Sequence, residues 1–280
     1  MSTEQREKAR VLRELHRPGE PLVLANVWDA LSARVVAATG ARALATASAG
    51  VSWALGSADG EAADRDAVLA QTALIVRAAG PLPVSADLEG GFAGTAEGVG
   101  GTITALLATG AAGVNLEDGL PAAEGVGVRP LAEAAGRIAA AREAAGAAGV
   151  PLFVNGRTDV FLRQVGEPEG RLDEAVTRLR AYVEAGADGV FVPGVADPAV
   201  IAALVEAVPA PLNVLAGPGS PSVPELAALG VARVSLGPGP AKAAYAAVRR
   251  AAEEVHARGT YTALDGGLTY PELQGLYVRP

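Results

Sequence analysis

The feature that most constrains this chain is an eightfold recurrence in which a short leucine-rich or β-branched run, a glycine or polar punctuation and an alanine-rich helix-forming stretch follow one another. The spacing predicts strands over 22–25, 43–46, 83–87, 113–117, 152–155, 189–192, 212–215 and 233–236. Helices are predicted over 31–39, 66–79, 100–109, 132–145, 172–185, 198–207 and 223–229, with an amphipathic helix over 3–16 ahead of the first strand. Eight βα alternations favour a closed (β/α)8 TIM-type barrel over an open doubly wound sheet. Gly110, Gly186 and Gly230 each stand between a helical stretch and the next strand, where a left-handed helix end is expected.

At 280 residues the chain is long for one ordinary domain but normal for such a barrel, and no linker divides it. The expectation is one domain over 1–280, with an N-terminal helix over 1–20 and a C-terminal tail over 259–280. That tail carries Tyr261, Leu264, Leu268, Tyr270 and Tyr277, too apolar for a solvated end, so it is expected to pack on the barrel or a partner subunit. Aromatics make up only 4%, so the core must be built from Ala, Val and Leu, which suits helices on a parallel sheet.

A net charge of −8, without a basic run, argues against nucleic-acid and anionic-membrane partners. With no cysteine, thiolate metal ligands and a cysteine acid are excluded. The polar opening and the lack of a long apolar stretch read as a soluble cytoplasmic protein acting on a small molecule.

The chemistry concentrates at the predicted strand ends. Asp87 and Glu89 follow the apolar run 81–84 and open into Gly90-Gly91. Two residues apart on an extended strand, they point the same way and can reach toward one hard cation. Glu117-Asp118 closes the next run. Active sites of this fold are built at that rim, which also carries Asn26, Trp28, Ser48, Arg157 and Asn213.

Five blocks, Asn26-Val-Trp-Asp29, Ser48-Ala-Gly-Val51 with Leu55 to Asp59, Asp87-Leu-Glu89-Gly-Gly-Phe92, Asn115-Leu-Glu117-Asp118 and Asn155-Gly-Arg157-Thr-Asp159, together resemble the isocitrate lyase/phosphoenolpyruvate mutase superfamily. The resemblance implies a barrel that binds Mg2+, with Mn2+ as the alternative ion, and a 2-oxo carboxylate. Its metal residues would be Asp59, Asp87, Glu89 and Glu117, and its catalytic residues Arg157, Glu117 and Asp59. Ser48, Ala49 and Gly50 would bind the substrate carboxylate through backbone N–H groups, with Trp28 and Asn213 completing the substrate set. It further implies a homodimer or homotetramer that exchanges a C-terminal helix. The implied activity is a carbon–carbon lyase working through an enolpyruvate-like intermediate. A phosphonate mutase or P–C hydrolase and a silent dicarboxylate-binding barrel are the alternatives.

Two departures stand out. The segment 119–129, where lyases of this group carry a Lys-Arg/Lys-Cys-Gly-His gate, has no Cys, His, Lys or Asn, leaving Glu124 as its proton-transfer group. After the sixth strand Phe191-Val-Pro193 is followed by Gly194, where citrate-type lyases have an acid. Plainer readings stand beside these: Asn26 or Asp29 as a helix cap, Arg157 in an ion network with Asp159 or Glu117, and His16 and His256 as surface residues.

Overall fold

The structure, a computed structural model, describes residues 2–277. Eight parallel strands form one sheet in the order β1-β8-β7-β6-β5-β4-β3-β2. They are β1 (Leu22–Leu24), β2 (Leu44–Ala45), β3 (Val84–Asp87), β4 (Gly113–Glu117), β5 (Phe153–Arg157), β6 (Gly189–Val192), β7 (Leu212–Leu215) and β8 (Arg233–Ser235). A bridge between Val27 and Thr46 joins the extensions of β1 and β2 and closes the barrel. The helices are α1 (Thr3–Glu14), α2 (Ala30–Ala38), α3 (Ser48–Ala54), α4 (Arg65–Ala79), α5 (Ala96–Ala108), α6 (Leu131–Ala147), α7 (Arg171–Glu184), α8 (Pro198–Ala207), α9 (Val223–Ala228), α10 (Gly239–Arg258) and α11 (Tyr270–Gly275). The (β/α)8 expectation holds, and Gly110, Gly186 and Gly230 have φ of +90°, +103° and +86° as the helix ends require.

Helix α1 closes the N-terminal end of the barrel. Gln5 donates to the carbonyls of Leu107 (2.8 Å) and Ala111 (3.0 Å), and buried Leu12 fills the space a side chain at Gly113 would need. His16, expected at the surface, is buried with its ring stacked on Phe153 at 3.9 Å between centroids. Burial and the charge of Arg233 push its pKa down to about 3, so it is neutral.

Seven helices cover the outward residues of the strands, so Ala45, Ala86, Val114, Val154, Val190, Val214 and Val234 are all buried. Val23, their counterpart on β1, is 43% exposed. The eighth major helix, α10, leaves that face bare and shows Tyr245, Val248 and Val255 to solvent. Beyond it, Glu254 accepts hydrogen bonds from Thr262 N (3.0 Å) and Ala263 N (2.5 Å), fastening the turn into the tail. The tail ends against α2, where Arg34 donates to Leu276 O (2.8 Å) and lies over the Tyr277 ring. Residues 278–280 of the expected tail lie outside the described residues.

Candidate active site

The C-terminal rim encloses a cavity of about 170 Å³ lined by Ser48, Ala49, Asp59, Asp87 and Arg157, with Asn26, Asn115 and Ser235 on its floor and Leu162, Phe191 and Pro193 along one wall. Of the ten expected site residues, these five line the cavity directly. Glu117 ends β4 on the same inward face as Asn115, and Glu89 lies two residues past the end of β3; neither lines the cavity itself. Asn213 lies one layer lower, fully buried and accepting from Ser235 Oγ (3.0 Å), and Gly50 is packed under Trp28, 2.9 Å from its Cβ had it a side chain. Trp28 itself packs toward Tyr245 of α10.

The carboxylates are held by the backbone of neighbouring loops. Asp87 accepts from Ser48 N (3.2 Å), the first residue of α3, and its own N–H is bound by Thr46 Oγ1 (2.8 Å). No helix is predicted over Ser48-Ala49-Gly50 from the sequence; the structure makes it the first turn of α3, without a side-chain cap, and its N–H groups lack intrahelical acceptors. Glu89 has φ of +51°, a left-handed backbone that a side chain rarely adopts, and such strain gathers at functional sites. It is clasped by Glu61: Glu61 N donates to Glu89 Oε2 (2.6 Å), while Phe92 N donates to Glu61 Oε1 (2.7 Å). Glu61 was invisible to sequence reasoning; its own φ of +60° is the sign of the same clasp.

Crowding of negative charge shows in the acid strengths. Burial, then the charge of Asp87, raises Asp59. Burial, then Asp59, pushes Glu89 up to about 8. Glu117 is also raised by burial, although Arg157 opposes this. Among the described residues no three or more His, Asp or Glu converge closely enough for a cage of protein ligands alone. A hard dication that keeps several waters fits such a donor set, because it needs few direct carboxylates and relieves their repulsion.

Arg157 is the positive centre. Its Nη1 lies 2.7 Å from Glu117 Oε2, its Nε donates to Asp159 Oδ1 (2.6 Å) and its Nη2 to Asp159 Oδ2 (3.1 Å). Arg157 thus sits in an ion network and also lines the cavity. Arg163, which the sequence reading passed over, adds a second cation, 3.1 Å from Asp159 Oδ2 and 3.9 Å from Glu117 Oε1. Its guanidinium occupies space that a Cβ at position 119 would take, within 2.5 Å, so the glycine that opens the gate segment makes room for it. The second acid of the pair, Asp118, faces away into the protein, where it accepts from Thr158 Oγ1 (2.7 Å), Asp159 N (2.8 Å) and Tyr182 OH (2.7 Å).

The gate segment is a short hairpin, bridged between Gly119 and Val128, with Leu120 N donating to Gly127 O (3.1 Å). Glu124 at its tip is 58% exposed and lies 3.7 Å from buried Arg129.

The family model of phosphoenolpyruvate phosphomutase matches residues 12–256. An uncharacterised protein of Mycobacterium tuberculosis (strain H37Rv) is 38% identical, the match covering 95% of each chain. A crystal structure from Burkholderia cenocepacia J2315, assigned provisionally to a lyase or mutase, superposes with a TM-score of 0.91 at 40% identity over 100% of this chain and 98% of that one. Oxaloacetate acetylhydrolase in complex with its product oxalate gives 0.85 at 28% identity over 96% and 93%. The chain therefore belongs to the phosphoenolpyruvate phosphomutase family, within the PEP mutase/isocitrate lyase superfamily of lyases and mutases.

Proposed function

We propose that this protein is a Mg2+-dependent carbon–carbon lyase that cleaves a small 2-oxo acid, or a 2-hydroxy or 2-oxo carboxylate adduct, through an enolpyruvate-like intermediate. The observation that carries the reading is that one narrow cavity is lined together by the Asp59 and Asp87 carboxylates, the Arg157 guanidinium and the first turn of α3, whose Ala49 and Gly50 N–H groups have no intrahelical acceptor. An anionic 2-oxo acid meets complementary groups at both ends: its carboxylate the α3 turn, its 2-oxo oxygen the Arg157 side. Asp59, Asp87, Glu89 and Glu117 would hold Mg2+, directly or through water, and the ion when bound supplies Lewis-acid polarisation of the 2-oxo group.

This chain's own residues then do the following. Glu117 and Asp159 fix the Arg157 fork by three short contacts, so its remaining N–H groups are pre-aimed at the negative charge that develops on the 2-oxo oxygen as the bond breaks. Phe191, Leu162 and Pro193 keep one wall apolar and exclude water from the enolate. Asn213 would act on the substrate side through Ser235, a cavity-lining residue whose Oγ donates to Asn213 Oδ1 (3.0 Å). The oxalate held by oxaloacetate acetylhydrolase supports a carboxylate ligand of this size.

The phosphonate alternative keeps one observation in its favour, the match to the phosphomutase family model. Thermal unfolding with Mg2+, with oxalate and with both tests the site: the pair should raise Tm beyond the sum of the separate effects. No joint stabilisation would defeat the reading. Discontinuous assay of 2-oxo acids and of phosphonopyruvate then separates C–C from P–C cleavage.

A further inference from the structure

One layer beneath the cavity the barrel is polar, where branched apolar side chains ordinarily pack. Inward-facing residues of a strand are two apart, roughly 6.6 Å along it. Asp87, Arg157, Leu215 and Ser235 line the cavity; the residues two before them are Ser85, Asn155, Asn213 and Arg233, each no more than 1% exposed. Among the described residues eight buried side-chain atoms lack a hydrogen-bond partner, and six belong to this layer and the histidine below it: Ser85 Oγ, Asn155 Oδ1, Asn213 Nδ2, Arg233 Nη1 and Nη2, and His16 Nε2.

Arg233 is the anomaly. Its Nε makes one long hydrogen bond, 3.4 Å to Ser235 Oγ, and no carboxylate among the described residues lies within ion-pair distance. The acid whose charge acts on it is Asp87, one layer up, already engaged with Ser48 N. A guanidinium stays charged in a protein, and leaving one buried without a counter-charge is strongly unfavourable. The four hydrogens on its own Nη atoms and the Asn213 amide are free donors, whereas His16 Nε2 is a free acceptor, because the neutral ring donates through Nδ1 to Leu12 O (2.7 Å). Asn155 Nδ2 donates to Asn115 Oδ1 (3.0 Å); reversing both amides keeps that bond and turns the free Asn155 atom into a donor as well. The layer lies between Ser235 and Asn115, which line the cavity, and Leu12 with the His16–Phe153 stack, so that a guest there would have to be compact.

We propose that the barrel core binds a halide-sized inorganic monoanion, held by Arg233 Nη1 and Nη2 and Asn213 Nδ2, with the Ser85 hydroxyl as a further donor. The anion supplies the counter-charge Arg233 lacks and sits apart from the substrate cavity, with Ser235 between them.

The test is bromide. Crystals of the full chain grown in sodium bromide should show an anomalous peak within about 3.5 Å of Arg233 Nη and Asn213 Nδ2. In solution, replacing sodium gluconate by sodium bromide at equal ionic strength should raise Tm saturably by about 5 °C, and Arg233→Met should abolish that rise. Should Arg233→Met fail to fold, Asn213→Leu should weaken the rise and the anomalous peak decides. Density there without anomalous signal, or identical melting in the two salts, would overturn the proposal in favour of water alone.

Discussion

Glu117 and Arg157 end neighbouring strands in the same register, and their side chains meet at 2.7 Å between Oε2 and Nη1 at the rim of the barrel. Register, not the loops, sets this contact, since both residues still pair within the sheet. The pairing explains how one arginine can be both fixed and functional: two carboxylates immobilise three of its nitrogens and leave other N–H groups for a ligand.

If that fork stabilises the developing enolate, Arg157→Ala and Glu117→Gln should each lower kcat/KM by about 10²-fold or more on whichever 2-oxo acid is cleaved, the range typical of one lost electrostatic stabiliser. Circular dichroism should show both variants folded. A variant retaining more than about a third of the activity would remove its residue from the mechanism.

Asp118 makes the opposite prediction. Its carboxylate is fully buried and neutralises Arg178, 3.3 Å away, while taking hydrogen bonds from Thr158, Asp159 and Tyr182. Asp118→Ala removes one of the two carboxylates on Arg178, leaving Glu174 at 2.7 Å, and strands the Thr158, Asp159 and Tyr182 donors, so it should cost about 3 kcal/mol of stability, read from denaturant unfolding. Equal midpoints for variant and parent would show that the network contributes nothing.

Much of this was legible in the residues because strand ends and helix ends carry local chemistry. The eight strands, the rim and the cluster of Asp59, Asp87, Glu89, Glu117 and Arg157 all followed from pattern and resemblance. What escaped depended on tertiary partners. Helix α3 has no side-chain cap and is written in Ala, Gly, Val, Ser and Trp, weak signals for a helix. β5 runs on to Arg157 because Glu117 and Phe191 pair beside it, contacts that local propensity does not encode. His16 sits among charged helix residues, and only the barrel floor reveals that it stacks on Phe153. Glu61 and Arg163 earn their places through a left-handed turn and a missing Cβ across the chain.

Glu89 sets a pH dependence. Its pKa is raised to about 8 in the folded, metal-free protein by burial and by Asp59, so the neutral acid is the favoured form. Its contribution to stability is therefore complete below the ordinary glutamate value near 4.5 and is lost as pH rises through about 8. Metal-free protein should melt lower at pH 9 than at pH 5.5, Glu89→Gln should flatten that difference, and Mg2+ should restore part of the loss at pH 9. An unchanged slope in Glu89→Gln would assign the effect elsewhere.

The bare Val23 face of β1 and the exposed Tyr245, Val248 and Val255 of α10 are complementary apolar surfaces on one chain. Exchange of α10 between two subunits would cover both, in line with the expected homodimer or homotetramer. Light scattering at micromolar concentration should give at least twice the 27.9 kDa chain mass, and Val248→Glu should shift it toward the monomer. A monomeric parent protein would reject the exchange.

The gate is the remaining question, because lysine, cysteine and histidine are all absent from it. Its one proton-transfer candidate, Glu124, points to solvent and lies 3.7 Å from the guanidinium of Arg129. Arg129 is in turn shared with Glu133 at 3.4 Å, and its backbone ties the hairpin base to Asp118 through an N–H donated at 2.7 Å. A carboxylate open to solvent and paired with a buried arginine is placed as a latch on the hairpin rather than over the cavity. A general acid contributes about 10² to 10⁴-fold, whereas an exposed ion pair contributes about 1 kcal/mol or less. Glu124→Gln should accordingly lower kcat by less than about tenfold, while Arg157→Ala lowers it by about 10²-fold or more. Solvent isotope effects should be alike in the parent and in Glu124→Gln. A Glu124→Gln enzyme as inactive as the Arg157 variant, with an altered isotope effect, would make Glu124 the proton donor and the hairpin a catalytic lid.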